Sequence, residues 1–114
     1  MVKQGEGDPT PIDVNMIDGI DKHIHEPSRL KILAHLYVLE QTDFTYLKNL
    51  TDFSWGRLSS HLDKLEKAGY VKLDKKLIKK IKHGKKTPIT FISLTEKGRE
   101  SFERYRDSMK QLFS

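Results

Sequence analysis

Residues 54–87 read SWGRLSSHLDKLEKAGYVKLDKKLIKKIKHGKKT, and they contain two structural patterns in succession. The first places Leu58, Leu62 and Leu65 on one side of an amphipathic helix. The second mixes apolar residues with lysines, as the strands of a solvated hairpin do. Gly69 stands between them as a helix stop, because glycine adopts the left-handed conformation freely. We therefore predict a helix that passes directly into a β-hairpin.

The positive charge of the chain is concentrated in the same stretch. Residues 71–87 hold eight lysines and one acid, whereas the net charge of the whole chain is only +5. Residues 54–88 hold 11 basic and 3 acidic groups, while residues 1–53 hold 5 basic and 9 acidic groups. A charge gathered on one helix and hairpin is the footprint expected of nucleic-acid contact. The plain alternative is a solvated, lysine-rich surface.

Composition argues against several classes of protein. A chain of 114 residues fits one small domain, and the lack of cysteine excludes disulfides and thiolate metal ligands. No apolar run approaches the ~20 residues that span a bilayer, and the first residues lack the apolar middle of a signal peptide, so we expect a cytoplasmic protein. No phosphate-binding glycine loop or nucleophile elbow occurs, and His23 and His25 are poorly spaced as metal ligands. We expect neither an enzyme nor a bound metal or cofactor.

Helical patterns also flank this stretch. Residues 1–10 are polar and expected to be mobile, and residues 11–114 are expected to form one domain. A first helix carries an apolar residue at every fourth position, namely Ile12, Met16, Ile20 and Ile24. Pro27 opens a second helix that is apolar nearly all round and therefore central. Thr45 is the predicted N-cap of a short third helix.

The hairpin and the final helix complete the prediction. The apolar residues of the outgoing strand lose their alternation after Leu73, which suggests a β-bulge. Thr95 caps a last helix after the return strand. The apolar stripe of that helix consists of Phe102, Tyr105, Met109 and Leu112. This stripe and the first helix would both be covered best by a second copy of the chain.

Three segments, in this order, resemble the winged-helix regulators of the MarR and ArsR type. PSRLKILAHL at residues 27–36 is similar to their second helix, and FTYLKNLTDFSWGRLSSHLDKLEKAGYV at residues 44–71 is similar to their helix-turn-helix. KTPITFISLTEKGRESFERY at residues 86–105 resembles the returning wing strand and the start of the dimer helix. The resemblance covers residues 12–113. It implies a mainly α fold with a small β-hairpin, a winged helix-turn-helix with dimer helices at both ends.

The resemblance implies a homodimeric, sequence-specific regulator of transcription that binds double-stranded DNA. Residues 54–64 match the recognition helix, which enters the major groove, and residues 82–88 match the wing tip, which lies on the minor groove or phosphates. Carried over by position, the DNA-binding residues are Ser54, Trp55, Gly56, Arg57, Ser59, Ser60, His61, Lys64, Lys82, His83, Lys85 and Lys86. The dimer helices, residues 12–24 and 99–113, would present Ile12, Met16, Ile20, Ile24, Phe102, Tyr105, Met109, Leu112 and Phe113.

Individual roles follow from side-chain chemistry. Arg57 is expected to fork onto guanine, and Lys64 is expected to meet phosphate. Trp55 either packs in the turn or wedges against the DNA backbone or a thymine methyl, while Gly56 lets the helix end approach a phosphate. Two other functions stay open: non-specific chromatin-like or RNA binding, and a winged-helix protein-interaction module. A small-molecule effector also stays open, since no convergent polar residues mark its site.

Overall fold

The computed structural model describes residues 19–79, 84 and 86–113, and every structural statement below refers to these residues. Within these described residues the chain forms four helices, α1 to α4, and three strands, β1 to β3. In chain order they are α1 (Pro27–Leu39), β1 (Gln41–Asp43), α2 (Phe44–Thr51), α3 (Trp55–Lys67), β2 (Val71–Lys79), β3 (Lys86–Leu94) and α4 (Glu96–Leu112). The strands make one antiparallel sheet in the order β1-β3-β2. The predicted mainly α fold with a small hairpin is confirmed.

One apolar core holds the helices and the sheet together. Its fully buried members come from five segments, and they are Ile24, Ile32, Leu33, Leu36, Leu47, Leu58, Leu62, Leu65 and Ile92. The predicted central position of α1 is confirmed, because three of these residues lie in it. Burying a leucine or isoleucine side chain contributes about 1.5–3 kcal/mol relative to leaving it exposed. Val38, next to the last residue of α1, is 79% exposed.

The helix α1 begins as the sequence predicted. Pro27 occupies its first turn, where the missing N–H costs nothing, and Glu26 is the N-cap. The Glu26 carboxylate accepts the backbone N–H of Arg29 at 2.8 Å. The carboxylate therefore satisfies an N–H that has no partner within the helix.

The predicted first helix does not reach Ile24. Its residues 12–18 lie outside the described range, and residues 19–26 form turns. The Asp21 side chain accepts the backbone N–H of His23 at 2.9 Å, a local bond that competes with helix, and also accepts the Tyr70 hydroxyl. The turn places Ile24 in the core of its own chain, fully buried. Ile24 therefore packs within its own chain and offers no exposed surface to a partner copy.

Two smaller predictions are also corrected. The N-cap of α2 is Asp43, which accepts the N–H of Tyr46 at 2.8 Å, and Thr45 lies inside the helix. The hairpin has no bulge within its described residues, because β2 and β3 keep one register from Val71 opposite Leu94 to Lys79 opposite Lys86.

A tight junction between the end of α3 and the start of α4 fixes the base of the hairpin. Gly69 follows α3 with φ +84°, as predicted for a helix stop. The Thr95 hydroxyl donates to the Gly69 carbonyl at 2.6 Å, and the Thr95 N–H donates to the Tyr70 carbonyl at 3.1 Å. Gly98 makes this approach possible, since a Cβ there would lie 2.1 Å from the Tyr70 carbonyl oxygen.

Candidate nucleic-acid interface

The turn between α2 and α3 is held by hydrogen bonds from both sides. The Thr51 hydroxyl donates to the Leu47 carbonyl at 2.9 Å and accepts the N–H of Phe53 at 3.4 Å. Asp52 takes the left-handed conformation with φ +60°, which lets the chain reverse in three residues. Lys31 of α1 donates to the Thr51 carbonyl at 3.0 Å. The two helices therefore form a helix-turn-helix whose turn is tied to α1.

The helix α3 presents a polar surface opposite its buried leucines. Ser54 is the N-cap, as predicted, and its hydroxyl accepts the N–H of Arg57 at 3.1 Å. The predicted members Gly56, Ser59 and Ser60 are exposed on this helix. Asp63 and Lys67 are also exposed on α3, had no predicted role, and pair at 3.0 Å. A helix with such a face can enter the major groove, where the base edges present distinct donors and acceptors.

The Arg57 side chain folds back toward α1. Its guanidinium donates to the Ser28 hydroxyl at 2.6 Å and stacks on the Phe53 ring, with 4.1 Å between the guanidinium carbon and the ring centroid. A guanidinium has five N–H donors, so this bond leaves others free. The structure thus gives Arg57 a fixed position beside the turn, which spacing alone did not predict.

The Trp55 ring both packs and stays accessible. It stacks on Phe44 with 5.4 Å between ring centroids and an interplanar angle of 9°, and the Lys48 ammonium lies 5.0 Å from its centroid. The side chain nevertheless remains 55% exposed. The ring therefore packs against the start of α2 rather than within the turn, and the contact of its exposed part with DNA stays a prediction.

His61 is linked to α1 through Arg29. The Arg29 Nη1 lies 3.3 Å from His61 Nδ1, and since a guanidinium only donates, Nδ1 accepts and the neutral ring carries its proton on Nε2. Partial burial lowers the pKa of His61, and the positive charges of Arg29, Lys64 and Arg57 lower it further, against the opposing charge of Glu26. His61 therefore offers one N–H donor rather than a positive charge at neutral pH.

The hairpin carries exposed lysines, but its tip is only partly described. Lys86 is exposed on β3, whereas Lys82, His83 and Lys85 lie outside the described residues. Gly84 takes φ +63°, a conformation that favours glycine. On β2, Leu77 is exposed among the lysines. The described part of the wing therefore presents both cationic and apolar groups to solvent.

The structure adds basic residues that no local pattern marks. Arg29 also donates through Nε to the His23 carbonyl at 2.7 Å, which ties the preceding turn to the recognition helix. Lys22 lies on that turn, near Lys64 of α3. Both Lys22 and Arg29 belong to the region of net negative charge, so the regional charge balance conceals them.

The predicted dimer residues are divided between surface and core. Ile12 and Met16 lie outside the described residues. Ile20, Phe102 and Met109 are half-buried against the core, and Phe113 is 71% exposed. Tyr105 and Leu112 are buried within the chain, so they offer little surface to a partner. The Tyr105 hydroxyl instead lies 2.9 Å from His25 Nδ1.

The described residues form neither a metal-binding cluster nor a membrane-spanning helix. No group of three or more His, Cys, Asp or Glu residues there is arranged to hold a metal ion. No helix in the same part of the chain is long and apolar enough to cross a membrane.

A helix-turn-helix with an exposed polar second helix, followed by a basic hairpin, defines the winged-helix class of DNA-binding proteins. Residues 28–113 match the family model described as a winged helix DNA-binding domain. The chain belongs to this family, which is a family of DNA-binding proteins and not of enzymes.

Individual relatives agree with this assignment. The chain is 42% identical over 85 residues to the uncharacterized protein MJ0432 of Methanocaldococcus jannaschii, covering 74% of this chain and 85% of that protein. A transcriptional regulator homologue from Pyrococcus horikoshii has a TM-score of 0.74 and 28% identity, covering 87% of this chain and 94% of its own. A MarR-family regulator from Silicibacter pomeroyi shares the fold, with a TM-score of 0.60, 18% identity and coverage of 88% and 62%. The resemblance to MarR-type regulators is confirmed.

Proposed function

We propose that this protein is a cytoplasmic, sequence-specific regulator of transcription that binds double-stranded DNA as a homodimer. The observation that carries the proposal is the position of α3, whose polar face is exposed and whose end passes directly into the lysine-rich hairpin. A helix of 10–12 Å diameter fits a major groove about 12 Å wide. The regulator from Pyrococcus horikoshii and the MarR-type fold support a role in transcription.

Specificity and affinity are expected to come from different elements. Ser59 and Ser60 can bond base edges or phosphates, His61 offers an N–H donor, and Arg57 can fork onto guanine. Lysines of the wing make point-charge contacts, which position the protein but carry little sequence information. We therefore assign the choice of site to α3, and most of the affinity to Lys86 with the predicted tip residues Lys82, His83 and Lys85.

The proposed dimer uses apolar surface that the single chain leaves uncovered. Phe113 and Val38 are the most exposed large apolar side chains near the ends of α4 and α1, and the half-buried Phe102 and Met109 lie on α4. Ile12 and Met16 stay predicted members of this face. A two-fold dimer would bind half-sites separated by about one helical turn of DNA.

A small-molecule effector stays an open alternative for this chain. One structural neighbour, NadR, was solved with 4-hydroxyphenylacetate, and it shares the fold at 19% identity, a TM-score of 0.62 and coverage of 99% and 82%. A described cleft between Asp21 and Tyr105 has a volume of about 140 Å³. Sites for drug-sized ligands are usually about 300–1,000 Å³, so this cleft suits only a smaller molecule without rearrangement.

The decisive experiment measures binding to the DNA upstream of the protein's own gene against a scrambled duplex of equal length. Fluorescence anisotropy over a salt series should give a slope of log K against log salt near −5 to −7, if a dimer neutralises about 6–8 phosphates. A slope shallower than about −2 contradicts DNA binding. Equal affinity for both duplexes would favour non-specific binding, and a monomer by light scattering at micromolar concentration would contradict the dimer.

Two variants separate the proposed roles. Arg57→Ala should cost about 1–3 kcal/mol at one base pair and relax the preference there. Lys85→Ala with Lys86→Ala should weaken binding to both duplexes alike, because phosphate contacts do not read sequence. A sequence-selective loss in the lysine variant would contradict this division of roles.

A further inference from the structure

We propose that a cleft between α1 and α3, here called the basic cleft, holds a phosphate of the DNA backbone. The inference rests on the proposed DNA binding and extends the phosphate contact expected of Lys64 to a site that it shares with Lys22, which lies outside the recognition helix and the wing. The cleft has a volume of about 520 Å³. Its lining residues come from the turn before α1, from α1 and from the second half of α3, and they are Lys22, His23, Arg29, Lys64, Lys67 and Ala68.

The cations of the basic cleft are not equally available. Arg29 is engaged, because its guanidinium donates to the His23 carbonyl at 2.7 Å and approaches His61 Nδ1 at 3.3 Å. Lys67 pairs with Asp63 at 3.0 Å. Lys22 and Lys64 are exposed, and within the described residues neither ammonium group makes a hydrogen bond or an ion pair. These two ammonium groups are free to bind an anion.

Among the residues that the structure describes, no carboxylate forms an ion pair with these two lysines. Glu26, the N-cap that precedes α1, has its carboxylate engaged by the Arg29 N–H at 2.8 Å. The Asp63 carboxylate is already shared with Lys67. A cleft lined by like charges with little compensation attracts counter-ions, since the walls focus the field of the charges. The basic cleft therefore favours an anion over a neutral or cationic ligand.

The position of the cleft on α3 favours DNA phosphate as that anion. The buried Leu58, Leu62 and Leu65 define the inward side of the helix. At 100° per residue, Ser60 and Lys67 point outward, whereas the row Arg57, His61, Lys64 and Ala68 forms the flank that meets α1. A helix that nearly fills the major groove has a phosphate wall along each flank. Outward docking of α3 therefore brings one wall to the basic cleft.

Ethylation interference tests the proposal directly, because it identifies the phosphates that must stay unmodified for binding. The variant Lys22→Gln with Lys64→Gln removes both free charges without removing an intramolecular bond. In this variant, ethylation of one phosphate per half-site should no longer interfere with binding, whereas ethylation of the other contacted phosphates should still do so. The salt slope of the dimer should become shallower by about two, one for each protomer. The ratio of the affinities for the upstream DNA and the scrambled duplex should stay unchanged, because phosphate contacts do not read sequence.

The matched control is Lys72→Gln with Lys75→Gln, which removes the same charge from two exposed positions of β2. This control should keep the interference at the phosphate that the cleft variant loses. An unchanged interference pattern in the cleft variant, or a change of slope below about 0.5, would overturn the inference. The inference would also be overturned if ethylation of that same phosphate stopped interfering with binding in the control. A wild-type slope near zero would instead overturn the proposed DNA binding itself.

Discussion

The substitutions Gly98→Ala in α4 and Gly56→Ala in α3 add the same methyl group to a helix. We expect the first to lower the free energy of unfolding and the second to raise it. A Cβ at Gly98 would lie 2.1 Å from the Tyr70 carbonyl oxygen, 2.9 Å from the Tyr70 carbonyl carbon and 3.0 Å from Leu94 Cδ1. The carbonyl cannot move freely, because it accepts the Thr95 N–H at the base of the hairpin. A Cβ at Gly56 would meet nothing within 4 Å.

The magnitudes follow from two terms. Replacing glycine by alanine inside a helix gains about 0.8–1 kcal/mol, and somewhat less in a first turn. Gly56→Ala should therefore stabilise the fold by about 0.5–1 kcal/mol. Forcing atoms into a packed site costs about 1–3 kcal/mol and sometimes more, and here the overlap exceeds ~1 Å against backbone. Gly98→Ala should therefore lose about 2 kcal/mol net. At about 4–8 °C per kcal/mol, its Tm falls by roughly 8–16 °C.

Urea unfolding followed by circular dichroism measures both variants against the wild type at one protein concentration. A fixed concentration is needed because the stability of an oligomer depends on it. Gly98→Ala at wild-type stability or above would refute the close approach of α4 to Tyr70. Destabilisation by Gly56→Ala would refute the open surroundings of the first turn of α3.

Two further variants test single hydrogen bonds and charges. Ser54→Ala removes the cap of α3 and should cost about 1 kcal/mol in urea unfolding, with Ser54→Asp as the control that keeps a cap; a loss below about 0.3 kcal/mol would argue against the observed cap. Because folding lowers the pKa of His61, this residue takes up a proton more readily in the unfolded chain than in the folded one. As the pH falls below ~6.5, protonation of His61 therefore favours the unfolded chain and lowers the free energy of unfolding, whereas above that pH it has no such effect. His61→Gln should therefore flatten the fall in unfolding free energy between pH 7.5 and 5.5, and an equally steep fall would contradict the lowered pKa.

The elements that the sequence predicted correctly are those fixed by local chemistry. Pro27 begins α1, Ser54 and Thr95 cap α3 and α4, and Gly69 ends α3, each through bonds within a few residues. The leucine spacing of α3 predicted its buried side for the same reason, since helical geometry relates neighbours three and four apart. Local patterns therefore fixed the order of elements and the exposed face of the recognition helix.

The errors arise where distant residues decide the outcome. The turn at residues 19–26 depends on Asp21 accepting the Tyr70 hydroxyl, a contact across 49 positions that no periodicity reports. The missing bulge has a different cause. Leu77 and Ile78 are both exposed, so the alternation of apolar residues in this part of β2 carries no information about a buried face. Register there follows the pairing with β3 instead.

The hidden basic cleft shows why regional net charge misjudges a folded surface. Residues 1–53 are net acidic, yet several of their carboxylates bind hydrogen-bond donors rather than lysines: Glu26 and Asp43 cap helices, and Asp21 accepts the Tyr70 hydroxyl. The negative charge of a capping carboxylate is partly balanced by the nearby N–H groups at the positive end of the helix dipole. Within the described part of the chain Lys22 therefore has no acidic partner, and the fold places it at the flank of α3 beside Lys64. An acidic segment can in this way supply part of a cationic surface.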